Sequence, residues 1–210
     1  MKKYRNRIPF RCLVSLTISL LAACEPAVDP AGCVLVEKNY LGDPDFALEA
    51  KSGKSKYWTG LQHVGERSYV VSIADDGVLS IERTGPEPWF VYRQILEATD
   101  LAGELVAFSA EMRLVNRPVA SPDRATLPAG LKLAALDSGK LRMRAEQPLS
   151  AADPPEAWQK VQLIARLPAD INNLRLNFYH EAYGVLQVRA PSFQLVDPAS
   201  MGCELTPVRE

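Results

Sequence analysis

The sequence predicts an all-β protein built as an antiparallel β-sandwich, on three observations. Apolar residues recur at a period of two rather than 3.6, the pattern of strands with one face buried. About ten short runs of this kind follow one another, separated by turn signals rich in Gly, Pro and Asp. Helix-compatible stretches are scarce. With 210 residues, 47% of them hydrophobic, 8% aromatic and 23% charged, the chain has the composition of a globular domain able to bury a core.

Taken in order, Ser68–Ile73 and Val78–Arg83 are short β-rich runs, and Asp75-Asp76-Gly77 between them is a hairpin-type turn signal. Trp89–Glu97 is the third run. A short helix over Arg93–Gly103 is the alternative there, since Gln94, Glu97 and Ala98 tolerate one. A strand to Glu97 followed by a turn through Asp100–Gly103 fits better. Leu105–Val115 alternates most clearly: Leu105, Ala107, Ser109, Glu111 and Arg113 oppose Val106, Phe108, Ala110, Met112 and Leu114. Leu131–Leu136, Lys140–Arg144, Gln159–Arg166, Asn173–Tyr179 and Val185–Val196 follow, with a turn at Asp137-Ser138-Gly139. Arg117–Ala129 and Gln147–Ala157 are Pro-rich loops, long for a compact domain. There is no internal repeat. Residues 33–204 are expected to form the sandwich and 205–210 a C-terminal tail.

The first 23 residues carry Lys2, Lys3, Arg5, Arg7 and Arg11 and no acid, ahead of an apolar run from Leu13 to Ala23 too short to span a bilayer comfortably. That is the layout of a signal peptide. Leu21-Ala22-Ala23-Cys24 closes it and resembles a bacterial lipobox, in which the cysteine takes the lipid and becomes the first mature residue. An ordinary signal peptide with an incidental Cys24 is the alternative. Two or three acyl chains, at about 0.8 kcal/mol per buried methylene, would hold the protein on a membrane. Glu25 rather than Asp follows the cysteine, which in similar Gram-negative lipoproteins favours the outer membrane over the inner. Residues 24–32 then form a short Pro-containing tether.

Of the four cysteines, Cys12 leaves with the signal peptide and Cys24 is lipidated. Cys33 and Cys203 remain in an oxidising compartment and are expected to pair, with two free thiols as the alternative. Beyond residue 23 the chain holds 19 basic and 25 acidic residues, which argues against nucleic acid as a partner. His63 and His180 are the only histidines, so a His-rich metal site is excluded.

Asp43-Pro44-Asp45-Phe46, Tyr57-Trp58, Pro88-Trp89 through Gln94, Leu105–Arg113, Trp158–Ala165 and Gly184–Val196 stand in an order that resembles the galactose-binding-like jelly roll of carbohydrate-binding modules. The resemblance covers nearly the whole mature chain. It implies a jelly-roll sandwich whose Trp-to-Gln strand lines a concave sheet. In that family an acidic turn often holds a structural calcium. Here Ala47 follows Phe46, and Gln187-Val188-Arg189-Ala190-Pro191 stands where acids belong. A cation that needs six to eight oxygen ligands finds fewer acids here, so no cofactor is expected, with a structural calcium as the alternative.

Two segments concentrate groups suited to sugars, whose C–H faces stack on aromatic rings while amides and charged groups bond the hydroxyls. One is Trp89, Tyr92 and Gln94, with Tyr92 and Gln94 sharing a strand face. The alternative is a core Tyr92 and a satisfied buried Gln94. The other is Tyr179, His180 and Tyr183, around Glu181. Glu181 could orient His180 as a general base, but no nucleophile motif accompanies the pair, and neighbours in an extended chain point apart. Trp58 and Trp158 read as core or sandwich-edge anchors. Lys51, Lys54 and Lys56 form a solvated basic loop, with contact to an anionic polysaccharide as the alternative.

These readings predict a membrane-anchored, non-catalytic lipoprotein that binds a polysaccharide or other glycan through an aromatic-lined groove on one sheet. A structural or protein-interaction lipoprotein using the sandwich as a scaffold is the alternative. The sequence sets no oligomeric state.

Overall fold

The computed structural model describes residues 32–47, 56–115, 127–152, 154–200 and 202–209. The signal peptide, Cys24, nearly all of the tether, Lys51, Lys54 and most of the first Pro-rich loop lie outside the described residues.

Within them the chain forms β1 (Trp58–Gln62), β2 (Tyr69–Ile73), β3 (Leu79–Arg83), β4 (Phe90–Glu97), β5 (Leu105–Val115), β6 (Ala129–Asp137), β7 (Lys140–Pro148), β8 (Gln159–Arg166), β9 (Asn173–His180), β10 (Val185–Leu195) and β11 (Val208–Arg209). One six-stranded sheet runs β1-β4-β9-β6-β7-β11 and one five-stranded sheet runs β2-β3-β10-β5-β8. All pairs are antiparallel. The expected sandwich is therefore present, and the single 3-10 turn at Thr99–Leu101 occupies the predicted turn after β4.

Turn chemistry fixes the hairpins. Ser138 and Gly139 both take positive φ (48° and 81°) between β6 and β7, a two-residue reversal that matches strand twist. Pro191 interrupts β10, where the register shifts between Arg189 and Ser192 and Ala190 takes a φ of 47°. Proline cannot donate a ladder hydrogen bond, and a bulge accommodates it. Asn39 braces this bulge: its Oδ1 accepts from Phe193 N at 3.0 Å and its Nδ2 donates to Pro191 O at 3.3 Å.

The core lies between the sheets. Phe46, Trp58, Tyr92, Phe108 and Phe178 stack through it with centroid separations of 5.1 to 5.8 Å along the chain of contacts. Trp58 is thus a core anchor, as read. A second apolar cluster, Cys33, Ala107, Ile164 and Val196, lies on the far side of the five-stranded sheet, beneath the terminal segments. Cys33 and Cys203 are disulfide-bonded across 170 residues, with Cα atoms 5.2 Å apart.

Two elements depart from the sequence reading. β1 was not expected as a strand. It contains Gly60, the face it shows to solvent is long, and its burial follows no clean alternation. Gly60 is there because the Phe90 ring stands 2.7 Å from where a Cβ would be. Residues 205–209, expected as part of a C-terminal tail, pack onto the sandwich. Thr206 exchanges both backbone and hydroxyl hydrogen bonds with Ile164, at 2.8 and 3.1 Å, and β11 pairs with Arg144 and Ala145 of β7.

Candidate functional site

Alternation along β4 and β9 divides their side chains between two faces. Phe90, Tyr92, Gln94, Leu176, Phe178 and His180 turn inward. Val91, Arg93, Ile95, Arg175, Asn177 and Tyr179 turn outward, onto the open face of the six-stranded sheet.

A depression of about 270 Å³ opens on that outward face. Leu61, Trp89, Val91, Lys132, Tyr179 and Glu181 line it. Trp89 enters from the loop before β4. The His63 ring meets the indole edge-on at 6.2 Å, and His63 Nδ1 lies 2.8 Å from Glu87 Oε2, so the loop is braced around the ring. Tyr179 stands opposite Val91 in the ladder, and Lys132 Nζ lies 4.8 Å from its ring centroid. Burial, reinforced by the Glu146 and Glu181 carboxylates, pushes the Tyr179 phenol upward, so it stays a neutral hydroxyl.

The structure brings Trp89 and Tyr179 to one depression, where Tyr179 is itself only 3% exposed beneath Lys132, and separates the other four candidates from them. Tyr92 is 3% exposed and stacks on Trp58 at 5.8 Å with an interplanar angle of 8°. Gln94 is 1% exposed; its Oε1 accepts from Gly42 N at 2.7 Å and its Nε2 donates to Gly42 O at 2.8 Å. It satisfies both the N–H and the C=O of Gly42, just before Asp43–Phe46, which makes it a clamp inside the fold rather than a groove residue.

His180 is fully buried, with Nε2 3.2 Å from Gly184 O and the Tyr69 ring edge-on at 5.8 Å. Burial pushes its pKa down to about 4, with the Gly184 carbonyl opposing and the Arg83 charge assisting. A neutral imidazole sealed in the core reaches no substrate, so the general-base reading with Glu181 has no geometry behind it. Tyr183 lies on the other side of the turn, under the Arg83 guanidinium at 4.4 Å. Arg83 there donates to the carbonyls of Glu181, Gly85 and Pro86.

Leu61, Val91 and Lys132 are not singled out by the sequence, and Glu181 is read there only as a neighbour of His180. A second cavity, about 410 Å³, follows the seam between β7 and β8 beside residues 204–207. Its lining includes Gln147, Gln159, Lys160 and Glu204 and no aromatic ring, so it lacks a stacking platform.

No protein-family profile and no curated protein matches the chain. Solved structures do. The chain is similar to the enzymatically active domain of bacteriophage CBA120 tailspike protein 4, at a TM-score of 0.58 and 12% identity over 75% of this chain. It spans only 21% of that phage protein. It is also similar to the C-terminal family 22 carbohydrate-binding module of Clostridium thermocellum Xyn10B, at a TM-score of 0.50 and 16% identity. That likeness covers 82% of this chain and 99% of the module. At these identities the likenesses establish the jelly-roll sandwich fold and nothing finer.

Proposed function

We propose that the sandwich is a non-catalytic carbohydrate-binding module, held at the cell envelope by a lipid on Cys24. The observation that carries the binding half is the Trp89–Tyr179 depression on the open face of a sheet. The domain-long match to a module with a ligand-binding cleft supports it. Trp89 offers an indole to a sugar's C–H face. Lys132, Glu181 and the Tyr179 hydroxyl offer hydrogen bonds of both signs around it. The lipobox at Leu21–Cys24 supports the anchor, and Glu25 supports the outer membrane.

A glycan array probed with residues 25–210 tests the binding reading. Trp89→Ala should weaken binding by about 1–3 kcal/mol, the range of an interface anchor. Thermal stability should change little, because the ring stands outside the core. A loss of several kcal/mol of stability with Trp89→Ala would make the ring core packing and leave the scaffold reading as the better one. Fatty-acid labelling tests the anchor: the wild type should take up label and Cys24→Ser should not.

A further inference from the structure

We propose that the glycan bound on the open face is acidic, and that Arg93, Arg175 and Arg144 form the part of the face that binds its carboxylates. This rests on the glycan-binding reading of the same face and names the ligand's charge class.

The cross-strand register builds the feature. Arg93 of β4 stands opposite Asn177, and Arg175, two residues back on β9, stands opposite Ile95. The two arginines are therefore diagonal neighbours on one face, about 7–8 Å apart by sheet geometry. Arg175 is also opposite Ala134 of β6, which is opposite Arg144 of β7, which is opposite Arg209 of β11. Ala134 leaves a gap between the Arg175 and Arg144 side chains. Lys132, opposite Asn177, joins this row to the Trp89–Tyr179 depression.

Charge partners are few. Among the described residues Arg93 and Arg175 form no ion pair. Glu146 Oε1 serves both Lys132, at 3.2 Å, and Arg144, at 3.3 Å. Glu97 is exposed at the end of β4 and pairs with neither arginine among the described residues. Arg142, further along β7, is neutralised by Asp170.

Arg144 Nε is buried without a hydrogen-bond partner among the described residues, and the same holds of Arg93. Burial and the Arg175 charge both push the Arg93 guanidinium below the usual value. Like charges on neighbouring strands and an unsatisfied buried donor each cost stability. A carboxylate seated between the two guanidinium groups would offset their like-charge repulsion, because the planar fork matches it bidentately. A chain crossing the strands would meet a cation every one or two strand spacings of about 4.8 Å. Trp89 stands four residues before Arg93, about 13 Å back along the strand direction, so a chain that meets both runs obliquely across the sheet.

The test compares polygalacturonate with its carboxyl-reduced form, using residues 25–210 in titration calorimetry, with neutral xylan and a single-stranded oligonucleotide alongside. The acid polymer should bind at least about tenfold more tightly than the reduced one. That preference should fade as salt approaches about 1 M, where charges are screened beyond about 3 Å. The Arg93→Gln/Arg175→Gln variant should lose the preference, keep its affinity for the reduced polymer, and unfold no earlier than the wild type. Equal affinity for acid and reduced polymer overturns the charge assignment while leaving glycan binding intact. Binding of the oligonucleotide alone, or of none of the four, overturns the glycan reading and this one with it.

Discussion

The two sheets turn very different outward faces to their surroundings. On the five-stranded sheet each half-buried arginine has been given a partner by the fold. Arg113 donates to Gln187 at 2.7 Å, which in turn donates to Ser80 at 3.2 Å, and Arg189 pairs with Glu111. Both guanidinium groups also cover the Trp158 ring, at 4.5 and 4.3 Å. Ser109 and Ser192 bond each other at 2.9 Å, and the disulfide-linked terminal segments cover the remainder. On the six-stranded sheet, Arg93 and Arg175 sit in equally regular positions with no acid to meet them among the described residues. Residue type and exposure are much the same on both sheets. What distinguishes a closed face from an open one is the inventory of partners across the ladder.

Stripping the cover from the closed face should have the largest effect. Replacing Cys33 and Cys203 together by Ala should cost roughly 2–5 kcal/mol in urea unfolding. Affinity for the glycan should hold, because the open face lies on the other sheet. Loss of binding at temperatures where the variant is still folded would mean the two faces are coupled.

Acid acts between the faces, on His180. Its pKa of about 4 in the folded protein lies below the ordinary 6.5. Above pH 6.5 both folded and unfolded states leave the ring neutral. As pH falls from 6.5 toward 4, the unfolded chain takes up a proton that the folded one refuses, so stability falls. The loss should reach about 3 kcal/mol. His180→Gln, which keeps a donor for Gly184 O, should flatten the slope of urea midpoint against pH in that window. An unchanged slope would show that other groups govern the acid limb.

The smallest effects sharpen the contrast itself. Glu111→Gln removes the partner of Arg189 and should lower stability by at most about 1 kcal/mol, because the pair is partly exposed and screened. Arg93→Gln removes a charge that has no partner and should lower stability not at all. If Arg93→Gln proved the more damaging of the two, the open face would be held by interactions the ladder does not reveal.

Much of the architecture was legible because strand burial writes itself as alternation. Leu105–Val115 and Gln159–Arg166 match the sequence to the residue, since each carries an apolar face toward the core and the bounding turns carry Gly or Pro. β1 was missed because an edge strand with a glycine under Phe90 has little pattern to show. β11 was missed because two residues carry no period at all. For the site, alternation in β4 places Tyr92 with Gln94 and Val91 with Arg93, but not which set faces the core. Polarity points the wrong way: the inward set contains Gln94, whose partner Gly42 lies 52 residues earlier. The arginine row was illegible for a related reason. Its members come from four strands, and only the register brings them together.

The segment from Glu204 to Arg209 has a consequence for how the molecule coexists with copies of itself. A sandwich has strands at its margins whose outer N–H and C=O groups invite further strands to add. Thr206 occupies that position on β8, and β11 occupies it on β7, so one short stretch of chain blunts a margin of each sheet. Cys203 pins the stretch at its start. Cutting the domain at residue 204, where the sequence alone suggests an end, would bare both margins side by side and leave their N–H and C=O groups as a template for strand addition.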